Sequence, residues 1–163
     1  MPFFMKWPGR IPKGATYEKP VMQLDIFATV AAATGTALPT DRKIDGVDLI
    51  PYVNGQINGQ PHDTLFWNSM DYQSVMAGDW KLQVVRQINK TWLFNLKNDP
   101  TEKENLSDTQ PEKLKELETV LEDFNQNERV KPLWPSLLEV HVRIDKTLDQ
   151  SWEKDDEYVI YSN

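Results

Sequence analysis

Two histidines, a loop crowded with carboxylates and a set of tryptophans are the side chains in this sequence that could build a site. His62 and His141 stand far apart, so a metal centre that used both would need carboxylates converging from three regions. Asp41, Arg42, Asp45 and Asp48 crowd one turn-rich stretch, where acidic residues also serve as caps, turn formers and solvated charges. Glu116, Glu118, Glu122 and Asp123 offer paired carboxylates for acid–base work, but their spacing puts them on the wet side of a helix. His62 follows Pro61 at the entrance to a strand and is read as a buried or edge hydrogen-bonding group. Trp67, Trp134 and Trp152 have faces that could stack on a sugar, or pack as ordinary anchors. The chain has no cysteine, and so no disulfide, thiolate nucleophile or cysteine metal site. It also lacks a Gly-rich phosphate loop and a G-x-S-x-G elbow. Taken alone, these residues describe an α+β domain without a self-contained catalytic site.

Composition agrees. With 163 residues, 39% hydrophobic and 26% charged, the chain has the make-up of one soluble globular domain, or a small domain with an extension. No apolar run approaches the roughly 20 residues that a membrane-spanning helix needs. Met1 leads at once into Pro2, Phe3 and Phe4, a start in which no signal peptide is expected. A net charge of -7 without clustered Lys and Arg argues against nucleic acid as a partner.

The elements that would position any site centre on Gln73 to Pro100, which predicts a three-stranded antiparallel meander. A two-residue turn at Gly78-Asp79 pairs Ala77 with Trp80 and Val75 with Leu82. A second hairpin centred on Ile88 would pair Val84 with Trp92, Leu82 with Phe94 and Trp80 with Leu96. Val75, Ala77, Trp80, Leu82, Val84, Trp92, Phe94 and Leu96 then share one apolar face, with Lys81, Gln83, Asn95 and Lys97 on the other. Leu65 to Asn68 predicts a fourth strand beside it. Thr109 and Glu112 have capping-box spacing for a helix over 110–126, whose Leu114, Leu117, Val120, Leu121 and Phe124 should lie across the sheet.

Upstream, Pro2 to Pro12 predicts a buried strand that runs into a turn at Pro8-Gly9. Leu24 to Thr34 predicts a helix with Asp25 in its first turn, Gly35 at its end and an apolar stripe of Ile26, Phe27, Val30 and Ala33. Leu49 to Val53 predicts one helical turn. Downstream, 128–163 predicts Pro-flanked turns, a strand through LLEVHVRID, a charged linker and a last strand over Tyr158 to Tyr161.

The segments PFFMKWPGRIPKG, QLDIFATVAAATG, DGVDLIPYVNG, PHDTLFW, AGDWKL and WLFNLKNDPTEKENL occur in the order seen in the C-terminal part of sulfatases, and the chain resembles that part of an arylsulfatase-type enzyme. The resemblance implies the end of an alkaline-phosphatase-like α/β domain over 1–60 (strand, helix and turn-rich loop). A four-stranded antiparallel-sheet subdomain with a packed C-terminal helix would follow over 61–127, and an extended tail over 128–163. It implies a sulfuric ester hydrolase that uses calcium and a formylglycine made within C/S-x-P-x-R. None of Ser69, Ser74, Ser107, Ser136 or Ser151 begins that pattern, so no catalytic residue and no metal ligand carries over, and Lys6 is not assigned. His62, Trp67 and Asn68 are the expected rim of the parent enzyme's substrate cleft. The expected partners are the missing N-terminal sulfatase domain and a second copy joined through the Phe3–Trp7 strand. The resemblance suggests a periplasmic or secreted home. The competing reading is an autonomous module that reuses the fold to grip a sulfated carbohydrate.

Overall fold

Four six-residue strands form one antiparallel sheet in sequence order: β1 (Thr64–Ser69), β2 (Tyr72–Ala77), β3 (Trp80–Val85) and β4 (Lys90–Asn95). The computed structural model describes residues 3–69, 72–86 and 88–128. By internal contacts the chain divides into two units, Met1–Leu65 and Phe66–Asn163. The turns and strands expected beyond Glu128, with Trp134, His141 and Trp152, lie outside the described residues.

In the second unit the first hairpin has the expected register, with Ala77 opposite Trp80 and Val75 opposite Leu82, turning at Gly78 with φ 58. The second hairpin departs by one residue. Leu82 faces Leu93 rather than Phe94, Val84 faces Thr91, and Trp80 faces Asn95 rather than Leu96. A one-residue step moves every side chain of a strand to the opposite face. Leu93 therefore joins Val75 and Leu82 in the core, and Trp92 and Phe94 move to the side of Lys81 and Gln83. The loop between Val85 and Lys90 closes with Asn89 in the left-handed region at φ 51, which asparagine tolerates. The opposite face is also covered, because Ser74, Lys81, Gln83, Val85 and Phe94 are all buried. Where both faces are buried, polar alternation no longer selects the register.

Helix α3, which follows α1 (Asp25–Thr34) and α2 (Ile50–Val53) of the first unit, spans Pro111–Asp123 and lies on the Leu93 side. Leu117 and Leu121 complete the core with Val75, Leu82 and Leu93, and Leu114 and Val120 pack around them, as the periodicity predicts. The capping box does not form. Gln110 is the N-cap without a side-chain bond, and the Thr109 hydroxyl donates to the Leu106 carbonyl. Pro111 at the first helical position has no N–H that would need a cap. A π-helical turn, Phe124–Glu128, ends the helix, and the Phe124 ring stacks on Phe66 with centroids 4.0 Å apart.

The 96–110 connection is held by its own polar residues. Asn105 accepts from the Leu93 N–H at 2.9 Å and donates to the Thr91 carbonyl, standing in for a fifth strand along β4. The Asp99 carboxylate accepts from the Lys103 and Glu104 backbone N–H groups. These bonds, the one from Glu104 foremost, hold it below the ordinary 3.8. A lowered carboxylate stabilises the fold above its unfolded value, and that contribution is lost as pH falls through the folded one.

In the first unit, α1 spans Asp25–Thr34 and ends at Gly35 with φ 68, as expected, and α2 spans Ile50–Val53. The N-terminal run corrects the expected strand. The turn is present, with the Trp7 carbonyl accepting from Arg10 and Ile11, but residues 3–7 form no strand. Among the described residues no strand pairs with them, so their backbone has no ladder to join. Phe3 and Phe4 are exposed. The expected stripe on α1 is also corrected: Ile26, Phe27 and Val30 are exposed, whereas Asp25, Ala28, Thr29 and Ala31 are buried.

Candidate functional site

The reason for that reversal lies in the 46–49 segment. It has no regular secondary structure, so its peptide groups need partners, and α1 supplies them from two side chains one helical turn apart. Val47 N–H donates to Asp25 Oδ1 at 2.9 Å, the Thr29 hydroxyl donates to the Val47 carbonyl, and Leu49 N–H donates to Thr29 Oγ1 at 3.0 Å. Gly46 permits the approach: a Cβ there would lie 2.1 Å from the Leu24 carbonyl oxygen. Asp25 is fully buried and also accepts from the Met22 N–H at 2.7 Å. Its Oδ1 lies 2.8 Å from His62 Nε2, and the His62 side chain is only 11% exposed. One carboxylate thus ties the start of α1, the 46–49 segment and the approach to β1.

A second buried polar cluster lies on the far face of the sheet. Glu102 sits at φ 54, a strained conformation for a residue with a Cβ, and its carboxylate receives Lys81 Nζ at 2.8 Å and Gln83 Nε2 at 2.6 Å. The side chains of Lys81 and Glu102 are 8% and 6% exposed. Burial raises the Tyr72 phenol above its ordinary 10; a hydrogen bond to Ser74 opposes the shift and the Glu102 charge adds to it. A third cluster, at the end of the sheet, joins the side-chain amides of Gln73 and Asn125 by two hydrogen bonds, and Arg86 Nε donates to Gln73 Oε1 at 3.1 Å.

The three expected rim residues are distributed over this frame. His62 is engaged by Asp25 in the first unit. Trp67 and Asn68 are neighbours on β1, half-buried and exposed respectively, and point to opposite faces of the sheet. Asn68 Oδ1 accepts weakly from Gln73 at 3.5 Å. The acidic loop residues have local roles: Asp41 pairs with Arg42, Asp45 with Lys43, and Asp48 accepts from the Ile50 N–H. Among the described residues no three His, Asp or Glu side chains converge to hold a metal ion. The Lys81–Glu102 pair has no signal in the sequence, because alternation in β3 places Lys81 on the face opposite the apolar one and names no partner for it. The left-handed backbone of Glu102 leaves no mark in residue type.

An antiparallel sheet packed under one helix, with its buried polar side chains paired to one another, is an α+β subdomain. The sequence profile of the family described as "N-sulphoglucosamine sulphohydrolase, C-terminal" covers residues 1–129, and the chain belongs to that family, the C-terminal portion of sulfatases. It is 37% identical over 100 residues to the steryl-sulfatase of Rattus norvegicus, which covers 61% of this chain and 17% of that protein. It is 26% identical over 161 residues to the uncharacterized sulfatase YdeN of Escherichia coli (strain K12), covering 76% of this chain and 28% of YdeN. The chain therefore spans about a sixth to just over a quarter of the length of these relatives. The crystal structure of Ps i-CgsB in complex with k-i-k-neocarrahexaose has the same fold over 76% of this chain and 28% of its own, with a TM-score of 0.62 and 23% identity. The expected four-stranded sheet with a packed C-terminal helix is the architecture found.

Proposed function

We propose that this chain works as the C-terminal portion of a sulfuric ester hydrolase, supporting the fold and bordering the substrate cleft without supplying the chemistry. The observation that carries this reading is the family's coverage of residues 1–129, together with relatives several times longer than the matched part. In this reading the formylglycine, the calcium ion and their ligands belong to a preceding N-terminal sulfatase domain. Trp67 and Asn68 are the proposed cleft rim, and His62 stiffens the approach to β1 through Asp25.

Purified and supplied with calcium and the formylglycine-generating enzyme, the 163-residue chain is expected to leave an arylsulfate ester intact. Turnover above the uncatalysed rate, abolished by no treatment of contaminating sulfatase, overturns the reading. Isolated from its partner domain, the chain is further proposed to self-associate through Phe3 to Trp7, whose apolar side chains include the exposed Phe3 and Phe4. Static light scattering should then give a mass that rises with concentration; a constant monomer mass at the highest soluble concentration refutes it.

A further inference from the structure

Two asparagines in the turn-rich stretch are followed by glycine, Asn54 before Gly55 and Asn58 before Gly59, and no other asparagine of the chain is. Their local sequences are nearly the same, Val-Asn-Gly-Gln and Ile-Asn-Gly-Gln, so residue type gives no reason for them to differ. The fold separates them. Asn54 is the C-cap of α2, where the Gly55 N–H donates to the Tyr52 carbonyl at 3.2 Å and Asn54 Oδ1 accepts from the Gln56 N–H at 3.1 Å. Asn58 is exposed, and among the described residues neither its side-chain amide nor the Gly59 N–H has a hydrogen-bond partner. The Gly59 carbonyl accepts from the Tyr17 hydroxyl at 2.8 Å.

We propose that Asn58 is a modification site of this chain, converted to aspartate and isoaspartate by attack of the Gly59 nitrogen on its side chain, while Asn54 is held back by the cap of α2. The Gly59 nitrogen gives its proton to solvent base and bonds to Asn58 Cγ. The Cγ–Nδ2 bond breaks, and Nδ2 takes a proton from water and leaves as ammonia. Water then opens the cyclic imide. Breaking the bond from nitrogen to Cγ restores the original backbone, with aspartate at position 58. Breaking the bond from nitrogen to the main-chain carbonyl carbon leaves the chain running through the side chain, as isoaspartate. The net reaction consumes one water and releases one ammonia, with no change of oxidation state. Glycine favours the attack because no side chain crowds the nitrogen. At Asn54 the same attack must first take the Gly55 N–H from the Tyr52 carbonyl and swing the side chain away from the Gln56 N–H. Isoaspartate at position 58 also lengthens the backbone just before Gly59, and so moves the carbonyl that holds Tyr17.

The test holds the full 163-residue chain in warm, mildly alkaline buffer and follows both sites by peptide mass spectrometry. Fragmentation within the peptide assigns the acid, since no Lys or Arg separates the two asparagines. Acid at position 58 should accumulate about ten-fold faster than at position 54, the effect of about one hydrogen bond more to break. Isoaspartyl methyltransferase with a labelled methyl donor should mark position 58 as the main acceptor. Asn58→Gln, whose longer side chain disfavours the ring, should remove most of that label, and Asn54→Gln should leave it. Asn58 is exposed and unpartnered among the described residues, so the glutamine variant should melt with the parent, which keeps loss of label from being read as loss of fold. In urea, where the bonds to Tyr52 and Gln56 are gone, the two rates should converge. Equal rates in the folded chain, or faster conversion at position 54, overturn the proposal. A preference for position 58 that persists undiminished in urea assigns it to neighbouring residue types and overturns it as well.

Discussion

Leu117→Asp is expected to unfold the second unit. Leu117 is 1% exposed and packs against Val75, Leu82, Leu93 and Leu121, the points at which α3 holds three strands together. Removing a buried leucine side chain costs about 2–5 kcal/mol, and a carboxylate in its place adds the cost of burying a charge that no described neighbour can pair. The sum is comparable with the roughly 5–15 kcal/mol that stabilises a whole domain. Near-UV circular dichroism should lose its aromatic signal, because Trp80 and Phe66 border the same core, and amides of β2 and β3 should exchange freely. Leu117→Met preserves volume and should cost less than about 1.5 kcal/mol. Glu118→Ala, one position along on the exposed side of α3, should change stability by less than about 0.5 kcal/mol. If Leu117→Asp retained a cooperative transition near the parent's, α3 would not be packed as described.

Asp25→Ala is expected to release the 46–49 segment from α1. The change removes the acceptor of the Met22 and Val47 N–H groups and the partner of His62 in a fully buried position. Each polar group left buried without a partner costs about 1–3 kcal/mol, so a loss of at least about 3 kcal/mol is expected from the three together. Asp25→Asn keeps one acceptor oxygen and should lose less, which separates the hydrogen bonds from simple loss of volume. Urea titration measures both losses. Amide exchange at Val47 and Leu49 locates them, and should quicken in the alanine variant before any change at Leu82 or Leu93. An alanine variant with unchanged exchange at Val47 would show that the carboxylate does not hold the segment.

These two sites differ in how visible they were beforehand. The α3 stripe of Leu114, Leu117 and Leu121 follows directly from a 3.6-residue period, and the helix packs as that period requires. The hairpin at Gly78 was equally legible, because a two-residue turn admits few registers. The hairpin before Lys90 was not. Its apolar residues sit at both odd and even positions, Trp92 and Phe94 against Leu93, and either set could have formed the core. On α1 the same periodicity that succeeded for α3 selected the outward face, because the rule assumes that an apolar stripe meets its own chain.

Local pattern by itself determined the helices, the four strands and the Gly78 turn, though not the loss of the strand expected at residues 3–7, and the order of motifs determined the family. Those properties depend on residues within a turn or two of one another. Tertiary structure decided which face of α1 turns inward, which residue of β4 meets Leu82, and that Lys81 and Glu102 are buried as a pair. Each of those outcomes depends on a group brought from elsewhere in the chain: the Val47 peptide for Asp25, the helix α3 for Leu93, and a left-handed Glu102 for Lys81. Burial is a property of both partners, and a single stretch of sequence carries only one of them.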